Sequence, residues 1–141
     1  MRKYAVLWMM LVMLSLTGCS AGTEQRDEKI KDLDFTVLNE EEIPEEVISI
    51  IEERKEKEFK MTFQDGDSLY ICIGYGRQER GGYSITVNDL YLTGNAVYVD
   101  TNLIGPSPEK EELYQNPEKE SPSFPYLVVK TEYVNKVVVF D

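Results

Sequence analysis

From Tyr4 to Leu14 nearly every residue is apolar, from Ser20 to Asp32 few are, and beyond Leu33 apolar and polar residues take turns. Leu33, Phe35 and Val37 share one parity, the period of a short strand. After the acidic stretch Asn39-Glu40-Glu41-Glu42 the period changes. Ile43, Val47, Ile50 and Ile51 form a single stripe at helical spacing, which predicts an amphipathic helix from about Pro44 to Glu58, packed on something flat. Pro44 suits the first helical position, where its missing N–H costs nothing. Glu45 and Glu46 at the start, with Arg54, Lys55 and Lys57 at the end, suit the helix dipole.

Strand patterns follow. Phe59, Met61 and Phe63 alternate with Lys60, Thr62 and Gln64, and Asp65-Gly66-Asp67 breaks the run before Ser68 to Gly74 resumes it. An Asp-Gly pair between two such runs predicts a hairpin. Gly74-Tyr75-Gly76 and Gly81-Gly82-Tyr83 read as the corners of a second, twisted hairpin with positive φ. Further on, Tyr83, Ile85 and Val87 hold one parity while Leu90 and Leu92 hold the other, so a bulge is expected near Asn88-Asp89. Gly94-Asn95 turns into a strand from Ala96 to Asn102. A long loop from Gly105 to Pro125 holds five of the six prolines. Tyr126 to Tyr133 and Val137 to Phe140 are the last strands, with a turn at Asn135-Lys136 between them. The final run must lie within a sheet, because four exposed apolar residues in a row invite aggregation. Six or seven strands and one helix, with no helical interval after Phe59, predict an α+β, mainly antiparallel β fold. It is a small single-domain sheet or sandwich with one N-terminal amphipathic helix.

The apolar run before residue 15 is too short for a bilayer, which takes about 20 apolar residues. Behind the basic Met1-Arg2-Lys3 it has the proportions of a secretory signal. The residues that close it, Leu16-Thr17-Gly18-Cys19, resemble the bacterial lipobox. That resemblance implies cleavage before Cys19 and attachment of diacylglycerol to its thiol, anchoring the chain to the extracytoplasmic face of a cell membrane. Residues 1–18 are then a lipoprotein signal peptide, 19–32 a lipid anchor and flexible tether, and 33–141 the domain. Two acyl chains suffice for stable anchoring where one is marginal. Losing Arg2 and Lys3 with the signal takes the net charge from −11 to −13, which helps to hold the domain off an anionic membrane.

Composition excludes several chemistries. The chain has no histidine, and so no Ser-His-Asp triad, no Cys-His dyad and no imidazole metal ligand. With 15 basic and 26 acidic residues it offers little to a phosphate backbone, so no nucleic-acid partner is expected. Once Cys19 carries lipid, Cys72 is left alone and no intramolecular disulfide can form. Cys72 lies within Leu69-Tyr70-Ile71-Cys72-Ile73 and reads as a small buried hydrophobe. Glu40 to Glu42 lack the alternating oxygen ligands of a calcium loop, and no metal or cofactor is expected. The glycines around Gly76 separate two strands, without the helix or the Lys-Ser/Thr of a phosphate-binding loop. What that tip offers is Tyr75, Arg77, Arg80 and Tyr83, residue types that dominate protein hot spots. They are the candidate partner-binding surface. Phe124 and Tyr126, flanking Pro125, read as a plug over the core.

The stretch from Tyr70 to Val129 resembles the PrcB C-terminal family, named for a lipoprotein subunit of a surface protease complex. The matching features are Gly76-Arg77-Gln78, Gly81-Gly82-Tyr83-Ser84-Ile85-Thr86-Val87, Ala96-Val97-Tyr98-Val99, and Ser123-Phe124-Pro125-Tyr126-Leu127-Val128-Val129. The resemblance implies a non-catalytic accessory protein that stabilises or docks an exported protease or another envelope protein. It brings no catalytic residues to carry over. The alternative is a small cell-envelope hydrolase using paired carboxylates, which an open cleft with two facing carboxylates would favour.

Overall fold

The apolar run Leu69 to Ile73 is buried on both of its faces, and the rest of the molecule is arranged around it. Leu69, Ile71 and Ile73 face one core with Leu33, Leu90, Val97, Val99, Leu127 and Val129. Tyr70 and Cys72 face a second core with Ile43, Val47, Ile51, Phe59 and Val128. A strand with alternate residues in two cores must be the middle of three layers. The computed structural model describes residues 28–107 and 121–141. The signal peptide, Cys19, most of the tether and the interior of the proline-rich loop lie outside the described residues.

In chain order the elements are β1 (Lys31–Asp32), β2 (Phe35–Val37), a 3-10 turn (Glu40–Glu42), α1 (Glu45–Arg54), β3 (Glu58–Asp65) and β4 (Ser68–Tyr75). They continue as β5 (Ser84–Leu92), β6 (Ala96–Ile104), β7 (Tyr126–Glu132) and β8 (Val137–Phe140). One sheet has the order β2-β7-β4-β3 and the other β1-β5-β6-β8. The first carries α1 on one face and the second sheet on the other. The fold is therefore mainly antiparallel β with one helix, a sandwich backed by α1.

The helical stripe is real but shorter than its periodicity suggests. Val47 and Ile51 are fully buried and Ile43 nearly so, while Ile48 rather than Ile50 joins their cluster. Pro44 stands just before the first helical residue, with ψ at 139°. From there its carbonyl accepts the N–H groups of Val47 and Ile48, each at 3.0 Å. The helix ends at Arg54 instead of Glu58, because the chain must reverse to lay β3 on the sheet that the helix covers. The Glu40–Glu42 run is a capped lead-in, in which the Glu42 carboxylate accepts the Asn39 N–H at 3.0 Å.

The hairpin at Asp65-Gly66-Asp67 forms as expected. Asp65 pairs with Ser68, and Gly66 takes φ +58°, which the first position of a glycine-led two-residue loop requires. The bulge is present too, as a register shift between Val87 and Asp89 that returns Leu90 and Leu92 to the core side.

Two expectations need correction, the hairpin at Gly76 to Tyr83 and the number of strands, while the turn at Asn135-Lys136 and the final strand form as expected. The segment from Gly76 to Tyr83 is not a hairpin, since β4 and β5 lie in different sheets and the segment crosses between them. The turn at Asn135-Lys136 likewise carries the chain from β7 across to β8, where the Lys136 ammonium donates to the Thr93 carbonyl at 2.9 Å. As a result β8 pairs with β6 in parallel and ends its sheet. Val138 and Phe140 pack on the core, but Val137 is 67% exposed, so the closing run is only half covered. Finally, the described residues form eight strands rather than six or seven. The additional one is β1, where Lys31 and Asp32 pair with Leu92 and Tyr91. The ordered fold thus reaches behind Leu33, and the Ile30 N–H also donates to the Leu92 carbonyl at 2.7 Å.

Candidate functional site

The crossover from β4 to β5 brings together the residues that sequence reading singles out. Two glycines shape it. Gly76 has φ +74°, and a Cβ there would crowd the Glu58 nitrogen at 3.1 Å; Gly82 has φ +89°. Between them the loop is pinned to the chain that leads into β7. Gln78 and Ser123 exchange both backbone bonds, at 2.8 and 3.0 Å, and the Ser123 hydroxyl donates to the Arg80 carbonyl at 2.7 Å. The Arg77 N–H reaches the Glu56 carbonyl at 3.2 Å, tying the loop to the start of β3. The loop is held from both sides.

The four named side chains divide into two kinds. Tyr75 is half-buried and packs against the core between the sheets. Its hydroxyl lies 2.7 Å from that of Thr101 on β6, so it joins the two sheets. Tyr83 is also half-buried, with its ring at ordinary contact distance from the place a Gly105 side chain would occupy. Arg77 and Arg80 are exposed. Arg77 pairs with Glu79 at 3.5 Å in full solvent, an arrangement that contributes little. What the tip turns outward is its two arginines with Glu79 between them. The parity of Leu69, Ile71, Ile73 and Tyr75 already places Tyr75 on a core face.

Phe124 and Tyr126 sit beside the crossover, as a plug would. Tyr126 packs on the helix-side core, and the Lys55 ammonium, paired with Glu52 at 2.7 Å, lies 5.4 Å from the centre of the Phe124 ring. Such a cation over an aromatic face adds a modest attraction.

The one cysteine among the described residues offers no nucleophile. Cys72 is fully buried in the helix-side core, and burial pushes its thiol up to about 12. A thiol held protonated is neither nucleophile nor metal ligand. Among the described residues no three His, Cys, Asp or Glu side chains gather where they would hold a metal ion. A recess of about 270 Å³ opens between β3 and β8, with Glu58 and Asp141 on its wall. Others, at the two ends of the helix and beside β2, are lined by Glu53 and Glu56, by Glu40, Glu41 and Glu45, and by Asp34, Asp67 and Glu132. Every one of these carboxylates is exposed. A hydrolase of the paired-carboxylate kind sets one acid in an apolar pocket, apart from its partner; none of these hollows does so.

The arginine-bearing crossover thus links the two sheets of a three-layer α/β/β sandwich. The family model described as PrcB C-terminal matches residues 69–132. No curated protein and no solved structure matches the chain. The matched stretch is β4 to β7, the two central strands of each sheet. All four edge strands, β1, β2, β3 and β8, are supplied by the flanks.

Proposed function

We propose that this chain is a lipid-anchored, non-catalytic accessory protein of the extracytoplasmic membrane face, which docks or stabilises an exported protease or another envelope protein. The observation that carries this reading is the PrcB C-terminal match at the centre of both sheets. The Leu16-Thr17-Gly18-Cys19 sequence supports the anchor, since a thiol at that position is where diacylglycerol attaches. A tightly pinned crossover that turns Arg77 and Arg80 outward supports the contact surface, because arginine is over-represented at binding hot spots. An acidic patch on the partner would be drawn to this local positive charge on an otherwise negative chain.

The experiment is metabolic labelling with a fatty-acid analogue, followed by membrane fractionation and isolation of bound proteins. The wild type is expected to carry label, sediment with membranes and bring down an envelope protein. Cys19→Ala is expected to lose the label and the sedimentation. Equal labelling of both would sink the anchor, and a wild type that brings down nothing would sink the accessory role.

A further inference from the structure

Glu58 stands opposite Tyr75 in the β3–β4 pair, yet the Tyr75 N–H turns the other way and donates to the Pro125 carbonyl at 3.1 Å. Along an antiparallel pair, residues bonded to the neighbour alternate with residues whose N–H and C=O point away from it. Glu58 is of the second kind, and with it Lys60, Thr62 and Gln64. β3 ends its sheet, with β4 as its neighbour. Among the described residues no other backbone bond reaches these four, and all four are exposed. Sheets usually blunt such an edge with brevity, a proline, a bulge or charged side chains, and of these the four residues carry only the charges of Glu58 and Lys60. β3 runs eight residues without proline and keeps unbroken register with β4 from Glu58 to Asp65.

Two recesses flank the first half of this edge. One, of about 270 Å³, lies on the sandwich side between Lys60, Tyr75 and Phe140. The other, of about 420 Å³, lies beside the helix end, where Glu53, Arg54, Glu56 and Lys57 surround Phe59. Glu58 lines both. A strand laid along β3 sends successive side chains to opposite faces, so neighbouring residues of one incoming strand reach both recesses.

We propose that the outer edge of β3 takes an extended segment of a partner polypeptide by strand addition, with basic residues toward the sandwich side alternating with apolar residues toward the helix side. This names the surface for the accessory role above and rests on that reading. The apolar half of the pattern continues the row of Phe59, Met61 and Phe63 on the helix face. The basic half answers Glu58 and Asp141, two carboxylates against the one ammonium of Lys60 on that recess, and a chain of net charge −11, which also repels a second copy of itself. The arginine-bearing crossover adjoins the same edge through the Arg77 bond to Glu56. Strand addition takes its affinity from the main chain and its selectivity from alternate side chains.

The test mixes the full-length chain with an excess of a short peptide alternating Lys and Val, and follows hydrogen–deuterium exchange across residues 58–65. Exchange there is expected to slow by about tenfold or more. A peptide alternating Glu and Val is expected to leave it unchanged. Lys60→Pro removes an outward N–H without touching the bonds to β4, and is expected to abolish the protection. If that variant fails to fold, Thr62→Pro makes the same change, and the wild-type comparison decides on its own. Unchanged exchange in the wild type overturns the proposal, as does protection on β8 instead. Protection that grows with protein concentration alone means pairing of two copies and overturns it too. An envelope partner still captured by Lys60→Pro overturns the edge but leaves the accessory role standing, whereas failure of every variant to capture a partner overturns the role itself.

Discussion

The ring of Phe59 occupies the space that a side chain on Gly74 would need, and the two residues are direct partners across the β3–β4 pair. Phe59 can therefore lie flat over β4 and close the helix-side core with Val47 and Ile51. Gly74→Ala is expected to destabilise the fold by about 1–3 kcal/mol, the usual range for overfilling a packed core. Combining it with Phe59→Leu should cost less than the sum of the two changes, since they contend for one space. Chemical denaturation of the four proteins measures the coupling, and strict additivity would contradict it.

Tyr75 joins the sheets through its hydroxyl, and that bond can be separated from its ring. Tyr75→Phe is expected to lower stability by about 1 kcal/mol, a typical net hydrogen-bond contribution. Thr101→Val should do much the same, with little further loss in the double variant. The check is the denaturant midpoint at unchanged slope. Unchanged stability with lost capture would move Tyr75 to the contact surface.

Burial of Cys72 has a pH signature. Its thiol is raised from 9.0 to about 12 in the folded state, so between those values the unfolded chain has lost the proton that the folded chain keeps. Stability from this group is complete below pH 9 and falls as pH rises toward 12, by at most about 1.4 kcal/mol per pH unit. Other groups titrate in that window as well. The informative quantity is the difference in slope between wild type and Cys72→Ala, which should show the wild type losing stability faster. Alkylation should mark Cys72 only after unfolding, and rapid labelling of the native protein would contradict its burial.

Local periodicity made the helix, the Asp65-Gly66-Asp67 hairpin and the bulge at Asn88 legible, because each is decided by near neighbours in the chain. Which sheet a strand joins is not local. Nothing in Gly76 to Tyr83 distinguishes a hairpin from a crossover, since both need glycines with positive φ. The same ambiguity hid the parallel pairing of β8, set by long-range contact with β6. β1 was invisible because two residues display no alternation. At the site, Arg77 and Arg80 were readable as exposed polar residues of a loop. The open edge of β3 was not, because an unpaired strand and a paired one carry the same side-chain pattern.

The most direct test of an anchored docking protein is photo-crosslinking in intact cells. A photoreactive residue replaces Arg77 or Arg80 at the crossover, or Thr36 on the exposed strand at the opposite edge of the same sheet. The predicted result is one common envelope-protein adduct from positions 77 and 80, none from position 36, and loss of the adduct with Cys19→Ala. No adduct from either arginine position, or equal adducts from all three, would contradict it.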